Sequence, residues 1–172
     1  MVLSRFIVDT IMHTFSTDKE ISMNAKSLES KVLLPGYGVI AAGCVLENFI
    51  LRTDFFLLGS LMGFLWLAVG LAGLFFAARE LKKSEGFMLV ESGPFAFSRN
   101  PAMVAHFLAV MPGLSLLLNT NLGILGIVVS VVLFYKHIGD EEMELEDRFG
   151  EVYLAYKERV GRFLPCHLLG IS

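Results

Sequence analysis

The chain has 172 residues, 55% of them hydrophobic and 18% charged, with a mean hydropathy of +0.65. An ordinary soluble domain is roughly 45–50% apolar, so the surplus points to lipid, and the length suits one domain. A net charge of -3 argues against nucleic acid as a partner, because neutralising many phosphates takes a basic surface.

Residues 1–31 read as an N-terminal segment outside the main domain of residues 32–172. Leu3, Phe6, Ile7, Ile11 and Phe15 recur at helical spacing with Arg5, Asp9 and His13 between them, which suits an amphipathic helix lying on a membrane. From Thr17 to Lys31 the charges and serines read as a solvated linker. Four apolar runs come next. Val32 to Leu51 has about the 20 residues that cross a hydrocarbon layer, and carries Glu47 four residues from its end. An ionisable group there either reaches the interface or serves a site, including a substrate site. Phe55 to Ala78 is uncharged, and its Gly59, Gly63, Gly70 and Gly73, with Ala68 and Ala72, let a neighbouring helix approach closely. Trp66 in mid-span reads as packing.

Arg79 to Arg99 is a polar connection. Asn100 to Leu118 and Leu122 to His137 are the third and fourth spans, and with only Asn119-Thr120-Asn121 between them they form an antiparallel hairpin. Pro112-Gly113 predicts a kink in the third. All 14 lysines and arginines except Arg52 fall in the N-terminal segment, the 79–99 connection or the region after Val132. The positive-inside rule then puts both termini and that connection in the cytoplasm, in an integral, multi-pass membrane protein. The expected fold is all-α: a polytopic bundle of about four transmembrane helices with an amphipathic C-terminal helical region.

This topology brings Arg99 and the pair Glu141-Glu142 to one membrane face. Asn100 suits the N-cap and Pro101 the first turn, so the third span opens with unpaired N–H groups beside Arg99, where an anion would be held; alternatively Arg99 only marks the boundary. Beyond, Leu145, Phe149, Val152, Tyr156, Val160 and Phe163 recur at helical spacing, with a break or bend at Gly150. Projected backwards, that apolar stripe includes Ile138 and Glu142. A carboxylate facing hydrocarbon needs an ion pair, with Arg99, Lys136 or Arg162 as candidates, or a cationic or hydroxyl-rich ligand. His106, seven residues from Arg99, is either an interhelical group or a substrate-binding residue. No His, Cys or carboxylate cluster in the sequence supports a metal.

Gly93-Pro94-Phe95, Arg99-Asn100-Pro101, Glu141-Glu142 with Leu145, Phe149-Gly150, Tyr153, Tyr156, Val160, Arg162 and Pro165 form an ordered set within residues 92–165. This set resembles the C-terminal signature of the isoprenylcysteine carboxyl methyltransferase family, related to membrane phospholipid N-methyltransferases. The resemblance implies a membrane enzyme that uses S-adenosylmethionine without a Rossmann fold and acts on a lipid-like or prenylated substrate among membrane lipids. It implies catalytic roles for Arg99 and Glu142, and cofactor contacts from Asn100, Pro101, Glu141, Glu142, Tyr153 and Arg162. The family pattern has His where this chain has Asn100, which hydrogen-bonds but does not titrate near neutral pH. Carboxyl O-methylation is the leading expectation. Phospholipid amine N-methylation and a non-catalytic lipid-binding scaffold are the alternatives.

Overall fold

The structure is a computed structural model that describes residues 28–52, 54, 56–83 and 88–163, and the interfacial helix expected near the N-terminus lies outside them. All regular structure among these residues is helical. Helix α1 spans Leu28–Ile50 and ends in a π turn, Leu46–Ile50. Helix α2 spans Leu57–Lys83. A 3₁₀ turn at Gly93–Ala96 leads to α3, Pro101–Leu117, which contains a π turn at His106–Val110. Helix α4 spans Gly123–Phe149 and α5 spans Glu151–Arg159. Helices α1, α2 and α4 are long and apolar enough to cross a membrane, and α3 is a shorter apolar helix. The chain is therefore a polytopic helical membrane protein.

Several boundaries differ from expectation. Helix α1 begins at Leu28, so the end of the expected linker is helical, and α2 runs on through Arg79 to Lys83. The fourth span and the start of the amphipathic region are one helix. No proline intervenes before Gly150 and the helix runs on through Gly139, so the shift from apolar to charged side chains after Ile138 changes the solvent of α4 but not its backbone.

Small residues set the packing. A Cβ on Gly63 of α2 would lie 2.4 Å from the Leu117 amide nitrogen and 2.7 Å from the Gly113 carbonyl of α3. Gly36 and Gly126 bring α1 and α4 together in the same way, a Cβ on Gly36 reaching 2.7 Å from the Gly126 carbonyl. In a bilayer such contact is what holds helices together, since lipid tails are as apolar as the side chains. Ala68 and Ala72, expected in these patches, are exposed on the outer face of α2.

Pro112 has no amide to give the Leu108 carbonyl four residues earlier. The indole Nε1 of Trp66 donates to that carbonyl at 2.7 Å, so Trp66 has a polar duty beyond the expected packing. The π turn His106–Val110 lies immediately before the proline-bearing turn, where the local distortion concentrates.

At one end of the bundle the α3–α4 loop is tied to the α1–α2 loop. Asn119 accepts from the Phe56 amide at 3.3 Å and donates to the Asp54 carbonyl at 3.0 Å. At the other end Gly150, with φ +54° and ψ -130°, takes a conformation open to glycine and breaks the helix as expected. The break changes the register of the next helix. Tyr153 and Tyr156 are buried, whereas Val152, expected on the buried stripe, is exposed.

Candidate active site

Three separate segments meet at the end of the bundle that carries Gly150. Glu142 extends the face of α4 that buries Phe134 and Ile138, one helical turn apart. Its carboxylate is 7% exposed. The Arg99 Nη1 donates to Glu142 Oε1 at 2.8 Å. Arg162 straddles the same carboxylate, Nε to Oε1 at 2.8 Å and Nη2 to Oε2 at 2.7 Å. This is the bidentate fork that makes arginine the favoured partner of a carboxylate. Two cations on one anion leave a net positive charge on the triad. Lys136, the other partner the sequence allowed, is not among the ion-pair partners of Glu142.

The backbone around the triad is held by the chain segments themselves. The 92–100 connection and the strap Val160–Phe163 run together, with the Arg99 amide donating to the Gly161 carbonyl at 3.0 Å. The Ser98 hydroxyl donates to the Arg162 carbonyl at 2.8 Å, and the Tyr156 hydroxyl to the Phe95 carbonyl at 2.7 Å. Phe163 then packs its ring against Phe107, Phe134 and Tyr135 at centroid distances of 5.9, 5.0 and 5.6 Å. That aromatic seat anchors the strap to α3 and α4. Arg159 also pairs with Glu91 at 2.6 Å, closer to solvent.

The electrostatics are set by burial and pairing. Its hydrogen bond to Glu142 raises the Arg162 guanidinium above its ordinary value, so it stays charged. Burial pushes the Tyr153 and Tyr156 phenols up, and both remain neutral at physiological pH. Tyr153 lies with its hydroxyl 3.5 Å from Arg99 Nη1 and supplies a neutral oxygen rather than a charge.

Two buried atoms beside the triad have no hydrogen-bond partner: Arg99 Nε, a donor, and Glu141 Oε2, an acceptor. Buried polar atoms are seldom left unmatched. One is the complement of a carboxylate, the other of an ammonium or hydroxyl. S-adenosylmethionine carries a carboxylate, an ammonium and ribose hydroxyls, so the residues present fit that group.

The other expected site residues are more scattered. Asn100 occupies the cap position of α3 with Pro101 in the first turn, but its side chain makes no capping bond. The Ser98 hydroxyl accepts from Asn100's own amide at 3.1 Å, ahead of the first helical turn. His106 opens the π turn, its Nδ1 2.7 Å from the Tyr37 hydroxyl of α1, which makes it an interhelical group. Glu47 is at the opposite end of the bundle. Its Oε2 accepts from the Leu122 amide at 3.4 Å, just before α4 begins, about 30 Å from Glu142 by helical rise. Glu47, expected as a substrate-binding candidate, thus lies at the end of the bundle away from Arg99 and Glu142. Sequence reasoning missed Ser98 and Tyr37 as partners, and no spacing signal pointed to either. Among the described residues no group of three His, Cys, Asp or Glu is arranged to hold a metal.

Comparisons with known proteins give the family. The family model of the isoprenylcysteine carboxyl methyltransferase (ICMT) family matches residues 52–147, a stretch that includes Arg99, Glu141 and Glu142 and ends before Tyr153 and Arg162. The chain is similar to protein-S-isoprenylcysteine O-methyltransferase of Mus musculus, 34% identical over 86 residues, which are 50% of this chain and 30% of the relative. It is also similar to that of Xenopus laevis, 35% identical over 85 residues, 49% of this chain and 29% of the relative. The Homo sapiens protein of the same name is 34% identical over 84 residues, 49% of this chain and 30% of the relative. The match thus spans about a third or less of the length of these curated relatives. No solved structure matches the chain. With the family model covering more than half of its residues, the chain belongs to the isoprenylcysteine carboxyl methyltransferase family.

Proposed function

We propose that this protein transfers a methyl group from S-adenosylmethionine to the carboxylate of a lipid-like, prenylated substrate at the cytoplasmic membrane face. The observation that carries the proposal is the buried triad Arg99–Glu142–Arg162 with spare donor and acceptor atoms on Arg99 and Glu141 beside it. When bound, S-adenosylmethionine supplies an electrophilic methyl group on a sulfonium, displaced in line by a nucleophile. The protein's part in such chemistry is positioning and the exclusion of water.

The two arginines divide the work. Arg162 has its fork committed to both oxygens of Glu142 and holds that carboxylate in place. Arg99 gives one N–H to Glu142 and keeps a buried Nε in reserve, so it orients a ligand carboxylate. A carboxylate acceptor is already ionised near neutral pH and needs orientation rather than a base. Glu141 and Glu142 would receive hydroxyls or cationic groups of the donor. Tyr153 and the helix start at Asn100 and Pro101 line the same end, where the positive-inside rule also places both termini in the cytoplasm.

The free oxygen of Glu141 supports a second reading, N-methylation of a phospholipid amine, in which a carboxylate accepts the proton that the amine must lose. A labelled methyl donor mixed with the protein and extracted lipids separates the two. Base-labile esters are expected, and base-stable products would favour the amine. Absence of S-adenosylhomocysteine binding by the detergent-purified protein would leave only a non-catalytic scaffold.

A further inference from the structure

We propose that Ser98 is a positioning residue that sets the two arginines in register. This rests on the methyl-donor reading of the site. Ser98 is 4% exposed and touches neither guanidinium through its hydroxyl. That hydroxyl has one proton to give and lone pairs to receive, and both capacities are used: it donates to the Arg162 carbonyl at 2.8 Å and accepts from the Asn100 amide at 3.1 Å. One bond therefore ends on the backbone of one arginine, the other on the residue next to the second arginine.

The neighbouring bond from the Arg99 amide to the Gly161 carbonyl, at 3.0 Å, runs between the same two segments. Together they form a two-point attachment of the strap to the start of α3. Phe163 fixes the strap to the core on its far side, but a packed ring sets depth rather than register. Arg99 and Arg162 must place their donors on a single carboxylate that α4 presents independently. A hydrogen-bonded link between their backbones keeps those two approaches aligned. Replacing the hydroxyl by a hydrogen leaves a carbonyl and an amide unmatched at a buried position, which favours release of the strap.

The test compares the full-length membrane protein with Ser98→Ala, Ser98→Cys and Ser98→Thr. Trypsin cleavage after Arg162 reports strap release without reference to activity. It should quicken about tenfold in Ser98→Ala, less in Ser98→Cys, and stay near the parent rate in Ser98→Thr. In parallel, S-adenosylhomocysteine affinity should fall about tenfold in Ser98→Ala and be kept in Ser98→Thr. In an Arg162→Ala background the Ser98→Ala step should cost less than half as much affinity. A general loss of folding would instead reduce the bound fraction at unchanged affinity. Cleavage after Arg162 that is no faster in Ser98→Ala and Ser98→Cys than in the parent overturns the proposal, as does full additivity with Arg162→Ala. Failure of the parent itself to bind S-adenosylhomocysteine counts against the methyl-donor reading, and the cleavage series still decides the role of Ser98. If Ser98→Ala does not fold, Ser98→Cys carries the same comparison.

Discussion

The two ends of the bundle both bury polar side chains, yet they do it in opposite ways. At the end with the α1–α2 and α3–α4 loops, side chains meet backbone. Glu47 receives the Leu122 amide, Asn48 donates to the Leu118 carbonyl at 3.0 Å, and Asn119 bridges Asp54 and Phe56. At the Gly150 end charged side chains meet each other across three segments, and two buried atoms, Arg99 Nε and Glu141 Oε2, remain unmatched, against Thr120 Oγ1 alone at the loop end among the described residues. The contrast teaches how to tell a structural polar cluster from a ligand site in a membrane protein. The loop end spends its side chains largely on its own backbone, whereas the Gly150 end is built from mutual side-chain charges and keeps both a donor and an acceptor for something else.

The sharpest way to break the contrast is Glu142→Gln. It leaves Arg99 buried beside a neutral amide, and because Arg162 is partly exposed the cost is set below that of a fully buried pair, at about 2–3 kcal/mol. Thermal unfolding in detergent should show that loss, with S-adenosylhomocysteine affinity falling at least about a hundredfold. Retained affinity would remove Glu142 from the site. Arg99→Ala is milder for folding, since Arg162 still satisfies both oxygens of Glu142. It should cost about 1 kcal/mol of stability but raise donor or acceptor KM about tenfold or more. If stability drops as far as in Glu142→Gln while KM holds, Arg99 is structural. Arg162→Lys keeps the charge but loses the fork. An intermediate affinity loss, measured by calorimetry, is expected. At the opposite end Glu47→Gln should lower stability by about 1 kcal/mol through a weaker hydrogen bond to the α3–α4 turn and leave donor affinity within twofold. A change in acceptor selectivity on that substitution would reverse the contrast between the two ends.

Much of the molecule was legible because the signals involved act locally. Apolar runs of membrane length, the three-residue hairpin and the break at Gly150 all arise from backbone and side-chain properties within one or two turns. The meeting of Arg99 with Glu142 was also legible, since the hairpin of two apolar spans between them returns the chain to the face it left. Finer features were not. The stripe drawn through Val152 assumed one continuous helix, and the positive φ at Gly150 turned Tyr153 inward instead. Asn100 has a good capping residue type, yet its side chain makes no capping bond, and its own amide is held by Ser98 two positions earlier. Trp66 gave no hint that its indole serves a carbonyl left bare by a proline on another helix.

The sequence by itself determined that the chain lives in lipid as packed helices, and that acidic and basic groups gather at one end of them. These are consequences of hydropathy and of how far a helix advances per residue. Only the tertiary structure decided which partners are taken. It puts both arginines on one carboxylate, Glu47 on a helix start at the far end, and a serine between the arginine backbones. Hydrogen bonds are decided within fractions of an ångström between segments many residues apart, and nothing in a linear pattern carries that distance.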